Sequence, residues 1–166
     1  VQTCALPIWL LSTLISPGRS HAQGLPVAIG QWRDHIPYVK AIAVADVGPR
    51  IFCANRFGLF SYDKTSKEIE RFSRLTGLSD FEIAGIRYDP VTRFLLISYE
   101  NSNIDLLDID NLQVTNISDL KRKNIVGGKR INTVLFINRK AYLGTDFGIV
   151  VLDLDRFEIK DTYYIG

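Results

Sequence analysis

An all-β fold assembled from a recurring four-stranded antiparallel unit is predicted by two observations. A unit of 45 residues occurs three times, and inside each unit short apolar runs alternate with polar turns while no stretch keeps a 3.6-residue period. The anchors of the repeat are Gly58-Leu59-Phe60-Ser61-Tyr62-Asp63, Asn103-Ile104-Asp105-Leu106-Leu107-Asp108 and Gly148-Ile149-Val150-Val151-Leu152-Asp153, successive copies standing 45 residues apart. The spacing extends upstream through Phe52, Ile97 and Tyr142 and downstream through Ile69, Val114 and Ile159, about 20 positions aligned without a gap. Units of this length and pattern are the blades of a β-propeller. The expected architecture is therefore an incomplete β-propeller of about three four-stranded antiparallel blades, roughly 39–80, 81–129 and 130–166.

Within each blade the first apolar run covers Ile51–Ala54, Phe94–Ser98 or Ala141–Leu143. The second covers Leu59–Tyr62, Ile104–Leu107 or Ile149–Leu152, and a third strand lies around Ile69, Val114 or Ile159. The second run is apolar at nearly every position, which predicts a strand covered on both faces by neighbouring blades. Gly58, Asn103 and Gly148 open that run, and these residue types tolerate positive φ, so a left-handed turn shared by all three blades is expected. Asp63, Asp108 and Asp153 close it, where a short carboxylate accepts hydrogen bonds from the backbone of the following turn.

The 166 residues carry 20 Lys and Arg against 18 Asp and Glu, a net charge of +2 that excludes a nucleic-acid footprint or steering by an anionic surface. Two cysteines, Cys4 and Cys53, and two histidines, His21 and His35, exclude a disulfide framework and a multi-histidine metal centre. Ahead of the repeats, Val1–Ile8 read as an adapter-derived string foreign to the fold. Residues 9–22, with the apolar run Trp9–Ile15 and the small-x-small ending Ser20-His21-Ala22, read as the remnant of a secretory signal peptide. Export from the cytoplasm follows, with the propeller domain occupying 23–166. Cys4 precedes the apolar run, an order that excludes a lipoprotein cysteine.

Several segments carry a family resemblance. Thr76-Gly77-Leu78-Ser79-Asp80, Ile86, Asp89, Leu95-Leu96-Ile97 and Leu143-Gly144-Thr145-Asp146-Phe147-Gly148-Ile149 resemble the two-component-regulator propeller repeat. The middle blade departs from that pattern, with Ser98-Tyr99-Glu100-Asn101 where the family has a Gly-Thr pair. More narrowly, Ile29-Gly30-Gln31-Trp32-Arg33-Asp34-His35, Asn103-Ile104-Asp105-Leu106, Ile117–Ile125 and Phe147–Asp153 are similar to the N-terminal propeller of the PorZ family. That family belongs to the type IX secretion system of Bacteroidetes. The resemblance implies a non-enzymatic accessory role in cargo attachment at the cell surface, partners among the secretion-complex proteins, and recognition of anionic lipopolysaccharide or glycan.

Candidate sites divide into a few groups. Lys121, Arg122, Lys123, Lys129 and Arg130 form the basic cluster of the chain, set around Gly127-Gly128, and are candidate contacts for an anionic glycan or lipid phosphate as against a solvated loop. Asp105, Asp108, Asp110 and Asn111 lack the glycine and distal glutamate of a calcium loop. Trp32, Tyr38, Phe57, Phe60, Tyr62, Phe81, Tyr88, Phe94, Tyr99 and Phe147 are read as packing between blades, with Trp32, Phe57 and Phe147 the aromatic residues best placed for another role. His35 beside Asp34 has no nucleophile to serve, and Cys53 sits in an apolar strand as a buried, unreactive thiol. No catalytic residue, cofactor or metal is expected.

Three repeats fall short of the four to eight blades of a closed ring, so the sequence is expected to be cut at both ends. Its terminal blades then expose apolar faces, and low solubility follows. The Gly30–Asp34 stretch is expected to supply a strand to the closing blade. Besides the secretion-system scaffold, the sequence leaves open the periplasmic sensor propeller of a hybrid two-component regulator and a propeller enzyme of polysaccharide-lyase type.

Overall fold

The structure, a computed structural model, describes residues 36–165. The expectations that fall on the adapter-like string, the signal remnant, Cys4, Trp32 and the Asp34-His35 pair lie outside the described residues. Among the described residues, twelve strands form three antiparallel sheets of four, each a simple up-and-down meander. Sheet one holds β1 (Ala43–Asp46), β2 (Arg50–Ala54), β3 (Leu59–Asp63) and β4 (Ile69–Phe72). Sheet two holds β5 (Ile83–Asp89), β6 (Phe94–Tyr99), β7 (Ile104–Asp108) and β8 (Val114–Ile117). Sheet three holds β9 (Ile131–Ile137), β10 (Lys140–Thr145), β11 (Gly148–Asp153) and β12 (Glu158–Tyr164). A single helical turn, α1 (Asp119–Arg122), and a short 3-10 turn at Arg74–Thr76 lie in the connections between sheets.

Sheets meet chiefly through their first strands, β1 on β5 and β5 on β9, as blades meet around an axis. A polar cleft of about 350 Å³ opens there, lined by Val44, Arg87, Asn132 and Thr133. Two cores fill the spaces between sheets. In the first, Phe52, Ala54, Leu59 and Phe72 pack against Ile83, Ile86, Leu95, Ile97, Tyr99 and Leu107. In the second, Leu96, Ile104, Leu106 and Ile117 pack against Ala141, Leu143, Val150 and Leu152. Sheet two is thus apolar on both faces because it contributes to both cores. The expectation of double cover holds for β7, buried from Ile104 to Leu107, while β3 and β11 each keep partly exposed positions.

The gapless repeat breaks in the middle blade. Phe52 pairs with Ser61 and Tyr142 with Val151, but Ile97 pairs with Asp105 where the repeat requires Leu106. The β6–β7 hairpin spans 99–103, one residue more than the 55–58 hairpin between β2 and β3. A shift of one residue turns each side chain of a strand to the opposite face. Ile97 accordingly lies in the first core, and Leu96 fills in the second core the place that Phe52 fills in the first. The true spacing is 44 residues from Phe52 to Leu96 and 46 from Leu96 to Tyr142. Leu95, Leu96 and Ile97 are apolar toward both faces, so hydrophobicity alone leaves this register open, and a polar contact at the hairpin sets it.

Candidate functional site

That contact lies at the end of the sheets where the β2–β3, β6–β7 and β10–β11 hairpins gather with the connectors 73–82 and 118–130. In β7 the side chain of Asp105 is wholly buried. Its Oδ2 accepts from the Tyr99 hydroxyl at 2.6 Å and from the Ser79 backbone N–H at 2.8 Å, and its Oδ1 accepts from Asn116 Nδ2 at 2.8 Å. A buried carboxylate without these donors would carry its full desolvation cost. Burial first, and then the Asp105 charge, push the Tyr99 hydroxyl well above the ordinary tyrosine range, so it serves as a donor. The extra residue of the β6–β7 hairpin is what carries Tyr99 to the Asp105 side of sheet two.

The connector 73–82 crosses from the outer strand β4 to the inner strand β5 and is built to hold this network. Ser73 and Thr76 cap each other across the 3-10 turn, Gly77 turns the chain at φ +121°, and Leu78 drops into the first core. Ser79 then reaches Asp105, and Asp80 Oδ2 accepts from Lys121 Nζ at 2.5 Å, Asn101 Nδ2 at 2.7 Å and Asn103 Nδ2 at 3.2 Å. Burial would raise the Asp80 carboxyl, but the Lys121 ammonium and the Asn101 amide outweigh it and hold the group down at about 2. Thr76–Asp80 is therefore a clasp between sheets one and two, with a hand-hold on α1 through Lys121.

The basic cluster is placed by that clasp and its surroundings. Lys121 is paired with Asp80, Arg122 with Asp119 at 2.8 Å and Arg130 with Glu100 at 3.3 Å. Lys129 Nζ donates to the backbone carbonyls of Lys121 and Lys123 at 2.6 and 3.0 Å, closing the end of α1. Lys123 Nζ reaches the Thr162 hydroxyl and the Tyr164 ring. All five cationic heads have protein partners.

The repeat positions do not share one backbone. Gly148 alone of the three lies at positive φ, +149°, and an added Cβ there would collide with the Tyr163 carbonyl. The expected common left-handed turn is thereby overturned. In sheet two the left-handed residue is Ser102 at φ 67°, one position early, because of the longer hairpin. In sheet one the turn is made by Asn55, whose Oδ1 accepts from the backbone N–H groups of Phe57 and Gly58 at 2.8 and 2.7 Å. Asp63 and Asp153 accept from backbone N–H groups two and three residues on, and Asp108 from the Asp110 N–H and the Asn111 side chain, at the opposite end of the sheets. There Asp110 pairs with Arg93.

Two further expectations are corrected. Cys53 is half-buried on the outer face of β2, across from Val44 and Phe60, and burial raises its thiol pKa. Phe81, read as packing between blades, is 52% exposed; of the aromatic residues set apart for another role, Phe57 is 44% exposed while Phe147 is buried in the second core. Phe57 and Phe81, with Leu75, Ile36 and Pro37, line an apolar groove of about 570 Å³ beside the clasp. Sequence reasoning missed both Asp105 as a structural hub and this groove; the signal for the first was a lone carboxylate inside an otherwise apolar strand.

Comparison with known proteins follows the same lines. The family model of the N-terminal β-propeller domain of PorZ in the type IX secretion system matches residues 51–166. Among solved structures, PorZ, an essential bacterial surface component of the type IX secretion system of Porphyromonas gingivalis, superposes with a TM-score of 0.70 at 33% identity. That match covers 75% of this chain and 17% of PorZ, so the chain spans about a sixth of that protein's length. The extracellular domain of the hybrid two-component system BT4673 from B. thetaiotaomicron superposes at 0.62 with 16% identity, over 81% of this chain and 18% of that one. The WD40 repeats of RRP9 superpose at 0.62 with 11% identity, over 80% and 40% of the two chains, a likeness of fold alone. No curated protein matches the chain. The three meandering sheets, their packing around the first strands and the family match together identify an all-β propeller chain that belongs to the PorZ N-terminal β-propeller family.

Proposed function

We propose that this chain is part of an exported, non-enzymatic scaffold of the type IX secretion machinery, acting in cargo attachment at the outer-membrane surface. The observation that carries the reading is the match to the PorZ propeller over 51–166, together with 33% identity to PorZ itself. The side-chain network at the hairpin end supports it in kind: its buried carboxylate and its clasp fasten blade to blade, the work of a platform that presents loops. The regulator reading rests on fold alone, at 16% identity to BT4673. Further blades are proposed to cover the outer faces of sheets one and three, where Val44 and Leu135 are exposed. Partners are the other secretion-complex proteins. Lys121, Arg122, Lys123, Lys129 and Arg130 of the 118–130 loop are proposed as contacts for an anionic lipopolysaccharide or glycan, exchanging exposed intramolecular pairs such as Arg122–Asp119 and Arg130–Glu100 for the ligand's anionic groups. The test is deletion of the gene in its host: export of cargo to the cell surface should fail, and unimpaired export overturns the proposal.

A further inference from the structure

We infer that the apolar groove beside the clasp is a docking site for an extended peptide segment that carries a bulky apolar side chain next to a carboxylate. The inference rests on the reading of this chain as a binding scaffold and names the chemistry of one partner. Phe57, Leu75 and Phe81 come from separate turns, the β2–β3 hairpin, the 3-10 turn and the stretch after the clasp, and stand 44%, 57% and 52% exposed. Turn positions facing solvent are ordinarily polar, and three large apolar side chains converging from different turns on one groove of about 570 Å³ form a contiguous patch of the kind that marks an interface. Aromatic residues with an arginine at the margin are also the composition of interface hot spots.

Charge specifies the partner. Of the arginines in the turns at this end, Arg56 holds Glu82 at 3.0 Å, Arg122 holds Asp119 and Arg130 holds Glu100. Arg74, at the margin of the groove, has no carboxylate partner among the described residues; its guanidinium lies over the Phe81 ring, 4.7 Å from the centroid. Stacking satisfies the face of a guanidinium and leaves its in-plane N–H groups for a planar acceptor. A carboxylate from the partner completes that pair while the adjacent apolar side chain fills the groove between Leu75 and Phe81. A basic peptide meets the unpaired cation instead and is rejected.

The experiment uses the chain immobilised at low density on a biosensor, which keeps copies apart. The probes are three synthetic peptides: Ser-Asp-Phe-Glu-Asp-Ser, the same peptide with lysine for each acid, and the same with alanine for phenylalanine. The first should bind saturably, and the other two about tenfold or more weaker. Phe81→Ala and Arg74→Glu should each weaken the first peptide about tenfold, and Arg74→Glu should bring in the lysine peptide. Both side chains are exposed, so unchanged thermal melting of the variants will show that the fold is intact. Equal binding of acidic and basic peptides, no saturable binding, or variants that bind the first peptide as the parent does would each overturn the inference. Export after gene deletion is scored separately, so a lost export phenotype with no peptide binding removes the groove and keeps the secretion role.

Discussion

Sheet two and its neighbours are written in one repeat, yet the same position is worth different amounts in each. Ile104 opens β7 fully buried, and Ile149, its counterpart 45 residues on, is 45% exposed in β11. Both are isoleucines near the start of the third strand of their sheets, in Ile104-Asp105-Leu106-Leu107-Asp108 and Ile149-Val150-Val151-Leu152-Asp153. The difference is the number of sheets in contact: among the described residues, sheet two is covered on both faces and sheets one and three on one. An apolar repeat residue therefore stabilises in proportion to the neighbour that covers it, and the sequence of a blade does not by itself say whether that neighbour is present. The largest expected effect tests this directly. Ile104→Ala should cost about 3 kcal/mol in chemical denaturation and Ile149→Ala less than about 1 kcal/mol. Equal losses would mean that the outer face of sheet three is covered in solution.

The second test moves to the residue that precedes those isoleucines. Gly148→Ala must place a Cβ against the Tyr163 carbonyl at φ +149°, so β12 has to shift, at a cost of about 2–3 kcal/mol. Gly58→Ala meets the Phe72 carbonyl and the Tyr38 ring at 3.2 Å with ordinary φ, and about 1 kcal/mol is expected. At the middle blade the position is already Asn103, whose side chain donates to Asp80 and accepts from Asn116. Equal losses at Gly148 and Gly58, read by thermal melting, would show that a small shift of β12 relieves the contact with the Tyr163 carbonyl.

Most of the fold was legible because its signals are local and repeated. Apolar runs of four or five residues, the turn aspartates and the 45-residue period locate the second, third and fourth strands of each sheet, but not the first strands β1, β5 and β9, on which the sheets meet. The slip in β6 was not legible, since Leu95, Leu96 and Ile97 suit either face and the deciding bond, Tyr99 to Asp105, forms only in three dimensions. The departure at Ser98-Tyr99-Glu100-Asn101 from the repeat pattern was its visible trace. The groove was hidden for a different reason. Phe57 and Phe81 have the composition of core residues, and nothing in a linear pattern distinguishes an aromatic residue that packs between blades from one that a turn holds out to solvent. The basic cluster shows the converse, since a run of lysines and arginines reads as free charge until the carboxylates and carbonyls around it are placed.

The smallest expected effect concerns the clasp, and it is read from acid dependence. Asp80 has a folded-state pKa of about 2 against an ordinary 3.8, so the unfolded chain takes up the proton first as pH falls. Its contribution is complete above pH 3.8 and disappears as pH drops toward about 2. With its side chain 13% exposed and one lysine as its charged partner, the contribution is about 1 kcal/mol. Asp80→Asn keeps an acceptor for Asn101 and Asn103 but loses the Lys121 pair, so it should destabilise by about that amount at pH 7 and by almost nothing at pH 2. A parallel loss across the whole range would show that the clasp is held by shape and neutral hydrogen bonds. The join between sheets one and two would then rest on Leu78 and the Ser79–Asp105 bond.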